Sequence, residues 1–131
     1  MITDRINPPG LLELPGLANV TVAVGTKIVS ISGQTGTDPE GKVVGTTHLD
    51  QARQAFVNLQ TALDAAGAAV DDVARLNLFV VDYSETALEE IYTACYEVFG
   101  TEPPTVASTL VGVVALWQPD VLIEIDALAI I

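Results

Sequence analysis

The feature that most constrains the fold is an amphipathic helix near the middle of the chain. Its apolar residues recur at helical spacing and form one stripe: Ala52, Ala55, Phe56, Leu59, Ala62, Leu63 and Ala66. Thr47 and Asp50 resemble a capping box in which Asp replaces the usual Glu, and Gly67 is the expected stop. A stripe this wide needs an apolar surface to cover, and the strand-like segments around it predict that this surface is a sheet.

Strand patterns lie on both sides of this helix. Alternating residues predict a hairpin of strands at 20–24 and 28–34, followed by a turn at 38–41 and a short edge strand at 42–44. Later strands are predicted at 75–81, 108–116 and 121–129. A second helix is predicted at 84–99, before a break at Pro103-Pro104. Its buried stripe comprises Leu88, Ile91, Cys95, Val98 and Phe99. This order predicts an α+β fold in which both helices pack on one face of a mixed β-sheet.

Composition limits the classes of partner. The 131 residues are expected to form a single domain, and because 50% of them are hydrophobic, we expect some apolar surface to be buried between subunits. Seventeen acidic against five basic residues give a net charge of -12, which opposes binding to nucleic acid or to an anionic membrane.

The first nine residues lack the apolar core of a signal peptide, so the expected location is cytoplasmic. Cys95 is the lone cysteine, which rules out an intrachain disulfide and a Cys-based metal cluster, and no cofactor or metal is expected. We interpret Cys95 as a small apolar residue on the buried face of a helix. The lone histidine, His48, is predicted to lie at a solvent-exposed helix start rather than to act in catalysis.

Four segments together resemble one known family: 29–34, 63–73, 76–82 and 123–127. From about residue 10 to 131 the chain is similar to RidA proteins, also called YjgF or L-PSP. The resemblance implies a chorismate-mutase-like fold that assembles as a homotrimer, with three sheets closing a central barrel and small-molecule clefts between subunits. Enzymes of this family hydrolyse reactive imines and enamines, such as those formed from serine and threonine, to 2-keto acids and ammonia.

The chain departs from the family at two positions of the implied cleft. The family arginine that binds the substrate carboxylate corresponds to Ser108, and Thr109 follows it in the substrate-binding segment. A hydroxyl cannot bind a carboxylate bidentately as a guanidinium does. No Lys, Arg or His occurs from residue 76 to 131, and a family aromatic hydroxyl corresponds to Leu17. The usual 2-imino acids are therefore expected to be poor substrates.

The remaining cleft positions match the resemblance better. Glu124 corresponds to the family glutamate that positions the attacking water, and strand alternation puts Asp126 on the same face, about 7 Å away. Both carboxylates have the structural alternative of bonding backbone amides or facing water. Gly33 and Gln34 resemble the family signature at the cleft, although Gln34 could instead make a strand-end hydrogen bond. Trp117 is either a cleft wall or a cover over the edge of the core.

Two classes of function remain open. The chain is either a hydrolase that uses Glu124 on an imine or enamine other than the usual 2-imino acids, or a non-catalytic trimeric protein for ligand binding or interaction. An endoribonuclease, a name attached to parts of the family, is disfavoured by the acidic charge and the lack of catalytic histidines. A chorismate mutase is disfavoured because a dianionic substrate would find no arginine cluster.

Overall fold

A computed structural model of the chain describes residues 1–100 and 105–131. The elements are, in chain order, β1 (Ile2–Ile6), β2 (Val20–Ala23), β3 (Ile28–Thr35), α1 (His48–Ala66), a 3-10 turn (Val70–Asp72), β4 (Val73–Val81), α2 (Glu85–Phe99), β5 (Ala107–Val113) and β6 (Ile123–Ile130). Within the described part, β3, β6, β4 and β5 form a mixed sheet in that order. Strands β4 and β5 are parallel, whereas the other neighbours in this sheet are antiparallel. Strands β1 and β2 form a separate antiparallel pair.

The core lies between the four-stranded sheet and the two helices, which confirms the predicted α+β architecture. From α1 the core takes the fully buried Phe56, Leu59 and Leu63, and from the first half of β6 it takes Ile123 and Ile125. Each such side chain contributes about 1.5–3 kcal/mol when it is removed from water. The two helices also contact each other, and the Phe56 and Phe99 rings meet edge to face at 5.6 Å.

Helix α1 begins and ends where its sequence predicts. The Thr47 hydroxyl accepts a hydrogen bond from the Asp50 amide at 3.1 Å, which satisfies one free N–H of the first turn. Gly67 ends the helix in the left-handed region at a φ of 72°, a conformation that costs a glycine little.

Gln51 is a buried member of α1 that the apolar stripe did not predict. Only 1% of its surface is exposed. Its amide nitrogen donates to the carbonyls of Gly45 and Asp120, and its amide oxygen accepts from the Leu122 amide at 2.8 Å. These hydrogen bonds satisfy backbone groups on both sides of Gln51. They hold α1 against the segment that leads into β6.

The predicted hairpin of 20–24 and 28–34 is wrong, because the two strands pair with different partners. Strand β2 pairs with β1, which the sequence analysis did not predict, and β3 pairs with β6. The chain end accounts for this separation: the amides of Thr26 and Lys27 both donate to the Ile131 carbonyl at 2.8 Å. A Cβ on Gly25 would approach the same carbonyl oxygen to 2.7 Å, so the backbones are closely packed here.

Strand β3 also contains an irregularity that changes its faces. Ile31 opposes Ala127 and Gln34 opposes Ile125, so three steps along β3 match two steps along β6. This is the register shift of a β-bulge. The alternation predicted for 28–34 therefore holds as far as Ile31, and Gln34 does not continue the face of Ser30.

The loop from β3 to α1 follows its turn signal. The Asp38 carboxylate accepts from the amides of Glu40 and Lys42, and the edge strand predicted at 42–44 reduces to one bridge between Thr37 and Val43. The break predicted at Pro103-Pro104 lies outside the described residues. Among the described residues, neither α1 nor α2 is long and apolar enough to cross a membrane.

Candidate functional site

Strand register separates the predicted site residues onto two faces of the four-stranded sheet. Parallel pairing sets Ser108 of β5 beside Leu76 of β4, and Leu76 in turn pairs with the buried Ala127 of β6. Paired residues direct their side chains to the same face of a sheet. Ser108 therefore lies on the face that the helices cover.

The opposite face, which we call the open face, holds the predicted carboxylates. Asn77 pairs with Asp126 and Phe79 pairs with Glu124. Both residues of β4 alternate with the half-buried Leu76 and the buried Leu78 and Val80. Within one chain, Glu124 and Ser108 consequently do not line a common site.

A cavity of about 510 Å³ opens on the helix-covered face, between α2, the sheet and the loop that precedes β2. We call it the α2 cavity. Its walls include Leu17, Cys95, Ser108 and the aromatic rings of α2, and no described residue that lines it carries a charge. The cavity explains why the predicted stripe of α2 is only half-buried at Leu88 and Cys95.

Leu17 and Ser108, the two positions of departure from the family, meet in the α2 cavity. Leu17 bridges to Val106 in parallel fashion, two residues before Ser108, and the neighbouring Ala18 amide donates to the Val106 carbonyl at 3.0 Å. The Ser108 hydroxyl makes no hydrogen bond to any residue that the structure describes. Together the two side chains give this part of the cavity an uncharged lining.

Cys95 reports how apolar the α2 cavity is. It lies on the buried side of α2, as expected for a small apolar residue, and it also borders the cavity. Burial raises the pKa of its thiol from 9.0 to about 11, because the thiolate would lose its hydration. A charged ligand group would meet the same desolvation penalty.

On the open face, Glu124 lies across the backbone of Gly33 in the bulge of β3. A Cβ at position 33 would overlap the Glu124 carboxylate. Glycine therefore leaves the space that this side chain occupies, and the structure brings these two predicted site residues into contact.

Asp126 and Thr109 belong to a row of polar side chains on the same face. The Asn77 amide donates to the Asp126 carboxylate at 2.8 Å, and the Arg75 guanidinium donates to the Thr109 hydroxyl. Arg75 was not predicted as a site residue, because only the pairing of β4 with β5 brings it beside the segment that contains Ser108. Arg75 therefore places a basic group beside that segment on the open face, whereas no described residue that lines the α2 cavity is basic.

Trp117 and Gln34 lie near the end of β3. The Trp117 indole N–H reaches the Thr35 hydroxyl at 3.4 Å, and Thr35 pairs with Glu124, although 57% of Trp117 is exposed. The Gln34 amide donates to the Ser32 carbonyl at 3.0 Å, which is a local strand-end contact.

His48 lies half-buried, so the prediction of a solvent-exposed helix start is wrong at this side chain. Its Nε2 is 2.7 Å from the Val81 carbonyl oxygen, which ties the start of α1 to the end of β4. In the described ranges, no three His, Cys, Asp or Glu side chains are grouped so that they could hold a metal ion.

The architecture and the cavity define the class: a small α+β protein with a ligand-sized cavity between a helix and a mixed sheet. Residues 17–131 match the family model described as Endoribonuclease L-PSP. The chain therefore belongs to the RidA/YjgF family.

Relatives and solved structures agree with this assignment. A RutC family protein of Pyrococcus horikoshii is 38% identical over 101 residues, which span 76% of this chain and 75% of that protein. The 2-iminobutanoate/2-iminopropanoate deaminase of Salmonella typhimurium is 34% identical over 110 residues and 83% of each chain. The crystal structure of YyfB, a Rid family protein from Yersinia pestis, superimposes with a TM-score of 0.86 at 31% identity, covering 98% of both chains.

Proposed function

We propose that this protein is a RidA-type hydrolase that converts an uncharged or cationic imine or enamine to a carbonyl compound and ammonia. The contact between Glu124 and Gly33 carries the proposal, because it fixes a carboxylate at an accessible strand end. The similarity to a 2-iminobutanoate/2-iminopropanoate deaminase supports the reaction class.

In this reaction Glu124 acts on water rather than on the substrate carbon. Its carboxylate accepts a proton from water as the water oxygen bonds to the carbon of the protonated imine, which gives a neutral carbinolamine. Glu124 then returns this proton to the amino nitrogen, the carbon–nitrogen bond breaks as ammonia leaves, and the carboxylate accepts the hydroxyl proton as the carbonyl forms. General base catalysis of this kind contributes about 10²- to 10⁴-fold in rate.

The proposed substrates lack the 2-carboxylate, because the position of the family arginine is Ser108 in an uncharged cavity. A carboxylate buried there without a partner would cost several kcal/mol. A protonated imine, by contrast, is attracted to Glu124. Arg75 is the residue to examine should a carboxylate substrate be turned over, since it shares the open face with Glu124.

We also propose a homotrimer with clefts between subunits. The open face exposes apolar side chains, among them Ile28, Val111 and Leu128, and Ile28 is 73% exposed. Ser108 and Glu124 lie on opposite faces of one chain, so a cleft that uses both needs two chains. Light scattering after size-exclusion chromatography should report three subunits, and a monomer at micromolar concentration would contradict this assembly.

The hydrolysis is tested with imines generated in the assay. An amine oxidase acting on phenethylamine supplies an imine without a carboxylate, and a serine dehydratase supplies 2-aminoacrylate; the measured rate is hydrolysis above the spontaneous rate. We expect acceleration of the first and little of the second. Glu124→Gln should lose about 100-fold or more, whereas the matched control Asp126→Asn should stay within a few-fold. Equal rates for Glu124→Gln and the unsubstituted protein would refute the proposal.

A non-catalytic ligand-binding protein is the second candidate. It is favoured by the position of the α2 cavity on the face opposite Glu124, because occupancy of that cavity requires no chemistry. Binding without acceleration of either imine would select this function.

A further inference from the structure

We propose that Trp117 is a specificity-determining residue for the proposed hydrolysis, and that its indole binds an aromatic ring of the substrate while Glu124 acts at the imine carbon. The inference rests on the proposed function and narrows its substrates to imines that carry a ring close to the imine carbon. Trp117 is the single tryptophan of the chain, and 57% of its surface is exposed in the loop between β5 and β6.

The indole of Trp117 lies at the same end of the open face as Glu124. Its N–H donates to the Thr35 hydroxyl at 3.4 Å, and Thr35 is the direct partner of Glu124 in the pairing of β3 with β6. Cross-strand partners direct their side chains to one face, with Cβ atoms about 5 Å apart. Thr35 is only 5% exposed on a face that is otherwise open, as expected for a residue that an indole covers.

Contacts on two sides fix the position of the indole. The Asn58 side chain of α1 donates to the Thr35 carbonyl at 2.9 Å, which holds the end of β3. On the other side, the Gln118 side chain donates to the Gly41 carbonyl at 2.8 Å, and a Cβ on Gly41 would come within 3.7 Å of the Trp117 ring. A side chain held in this way loses little further conformational entropy when it binds a ligand.

The spacing between the indole and the carboxylate defines the substrate class. The Glu124 side chain lies over Gly33, two residues along β3 from Thr35, which corresponds to about 7 Å of strand. The attacking water, the imine carbon and one methylene group span such a gap, and a ring beyond them meets the indole. Contact between two rings adds to the energy of apolar burial. Imines of arylethylamines therefore use both groups, whereas imines of short alkylamines use Glu124 alone.

The experiment compares two amines that differ in the ring, phenethylamine and propylamine, and the imines that an amine oxidase makes from them. Trp117 gives the only indole N–H signal of the ¹⁵N-labelled chain, so this NMR signal reports directly on the proposed contact. We expect saturating phenethylamine to shift the signal and saturating propylamine to shift it far less. The full chain is used without substitution.

Variants connect the preference for a ring to the indole. The quantities compared are the ratio of the Kd values of the two amines and the ratio of kcat/KM for their imines. Trp117→Leu should lower both preferences about 10-fold, and the second through KM rather than kcat. Trp117→Phe keeps a ring and should retain most of each preference. The matched control is Val114→Ala, at a position 98% exposed in the same loop, which should leave both ratios unchanged.

Glu124→Gln separates this inference from the proposed reaction. It should lower hydrolysis and weaken both amines to the same extent, so the ratio of their Kd values stays. Absence of hydrolysis by the unsubstituted protein, with a Kd ratio that Trp117→Leu lowers, would refute the reaction and support the contact with the indole. An indole signal that does not respond to phenethylamine, or ratios that Trp117→Leu leaves unchanged, would overturn the inference. The first of these results needs no variant, so it decides the question even if Trp117→Leu fails to fold.

Discussion

The two faces of the four-stranded sheet are built from the same strands and have opposite chemistry. The face toward α2 borders a cavity with no charge among its described lining residues. The open face carries Arg75, Asp126 and Glu124, each in contact with a neighbour on that face. The difference arises from strand alternation alone, because successive residues point to opposite faces.

One consequence concerns how a short motif is interpreted. Ser108 and Thr109 are adjacent in sequence, yet Ser108 borders the apolar cavity and Thr109 accepts a hydrogen bond from Arg75 on the open face. A substitution at one of them changes the chemistry of one face only. The loss of the family arginine at position 108 therefore alters the α2 cavity and leaves the polar row of the open face in place.

The most direct test of the difference between the two faces is to place the same charge on each of them. We expect Ser108→Asp to lower the free energy of unfolding by about 2–4 kcal/mol, because its carboxylate enters an uncharged cavity. Thr109→Asp should lower it by at least about 1 kcal/mol less, since Arg75 on the open face can pair with that carboxylate. Urea unfolding at pH 7 measures both.

The two variants control for each other, because both put Asp in the middle of the same strand and share any loss of strand propensity. Equal destabilisation would mean that the two faces do not differ in polarity. Greater destabilisation by Thr109→Asp would reverse the assignment of faces.

The helices could be predicted from sequence because their signals are local. Thr47 and Gly67 form the hydrogen bonds that begin and end α1 with residues only three or four positions away in the sequence. The start of α2 is equally local, since the Ser84 hydroxyl accepts from the Ala87 amide. Gln51 escaped prediction because its partners near residue 120 are remote in sequence.

Strand pairing could not be predicted with the same success, since it depends on non-local contacts. The adjacent strands β2 and β3 suggested a hairpin, but the Ile131 carbonyl accepts hydrogen bonds from the amides of the turn that connects them. The bulge in β3 likewise appears only against β6. Alternation shows which residues share a face within a strand and gives no information about the neighbouring strand.

The candidate site was predicted in parts. Family resemblance selected Gly33 and Glu124, which are in contact. It did not indicate that Ser108 lies on the opposite face of the sheet from Glu124. Arg75 became a neighbour of Thr109 only through the parallel register. A local signal for the α2 cavity was present in Tyr92 and Tyr96, whose spacing puts them on one side of α2.

A smaller effect tests the polarity of the cavity through its thiol. Burial raises the pKa of Cys95 from 9.0 to about 11, so between these values the folded state holds a proton that the unfolded chain releases. Stability from this group is fully present below pH 9 and is lost as the pH rises toward 11, by up to roughly 2 kcal/mol. Urea unfolding of the unsubstituted protein and of Cys95→Ala from pH 8 to 10.5 measures the difference in slope.

Other side chains also change charge at alkaline pH and affect both proteins equally. The informative quantity is therefore the difference in the free energy of unfolding between the unsubstituted protein and Cys95→Ala at each pH. Cys95→Ala should lose a constant amount of packing energy but show the weaker decline above pH 9. Parallel curves would indicate a thiol that reaches water, and the cavity would then be more polar than its lining suggests.

The smallest expected effect concerns the charge of the ligand that the open face selects. Phenethylamine should stabilise the protein through Glu124 and pyruvate should stabilise it least, because the chain offers a keto acid no arginine at position 108. At a ligand concentration equal to Kd the gain is about 0.4 kcal/mol, or roughly 1–2 °C in Tm. Glu124→Gln should remove the shift from the amine, with the subunit number unchanged. A larger shift with pyruvate than with the amine, insensitive to Glu124→Gln, would show that the charge of the open face does not select ligands.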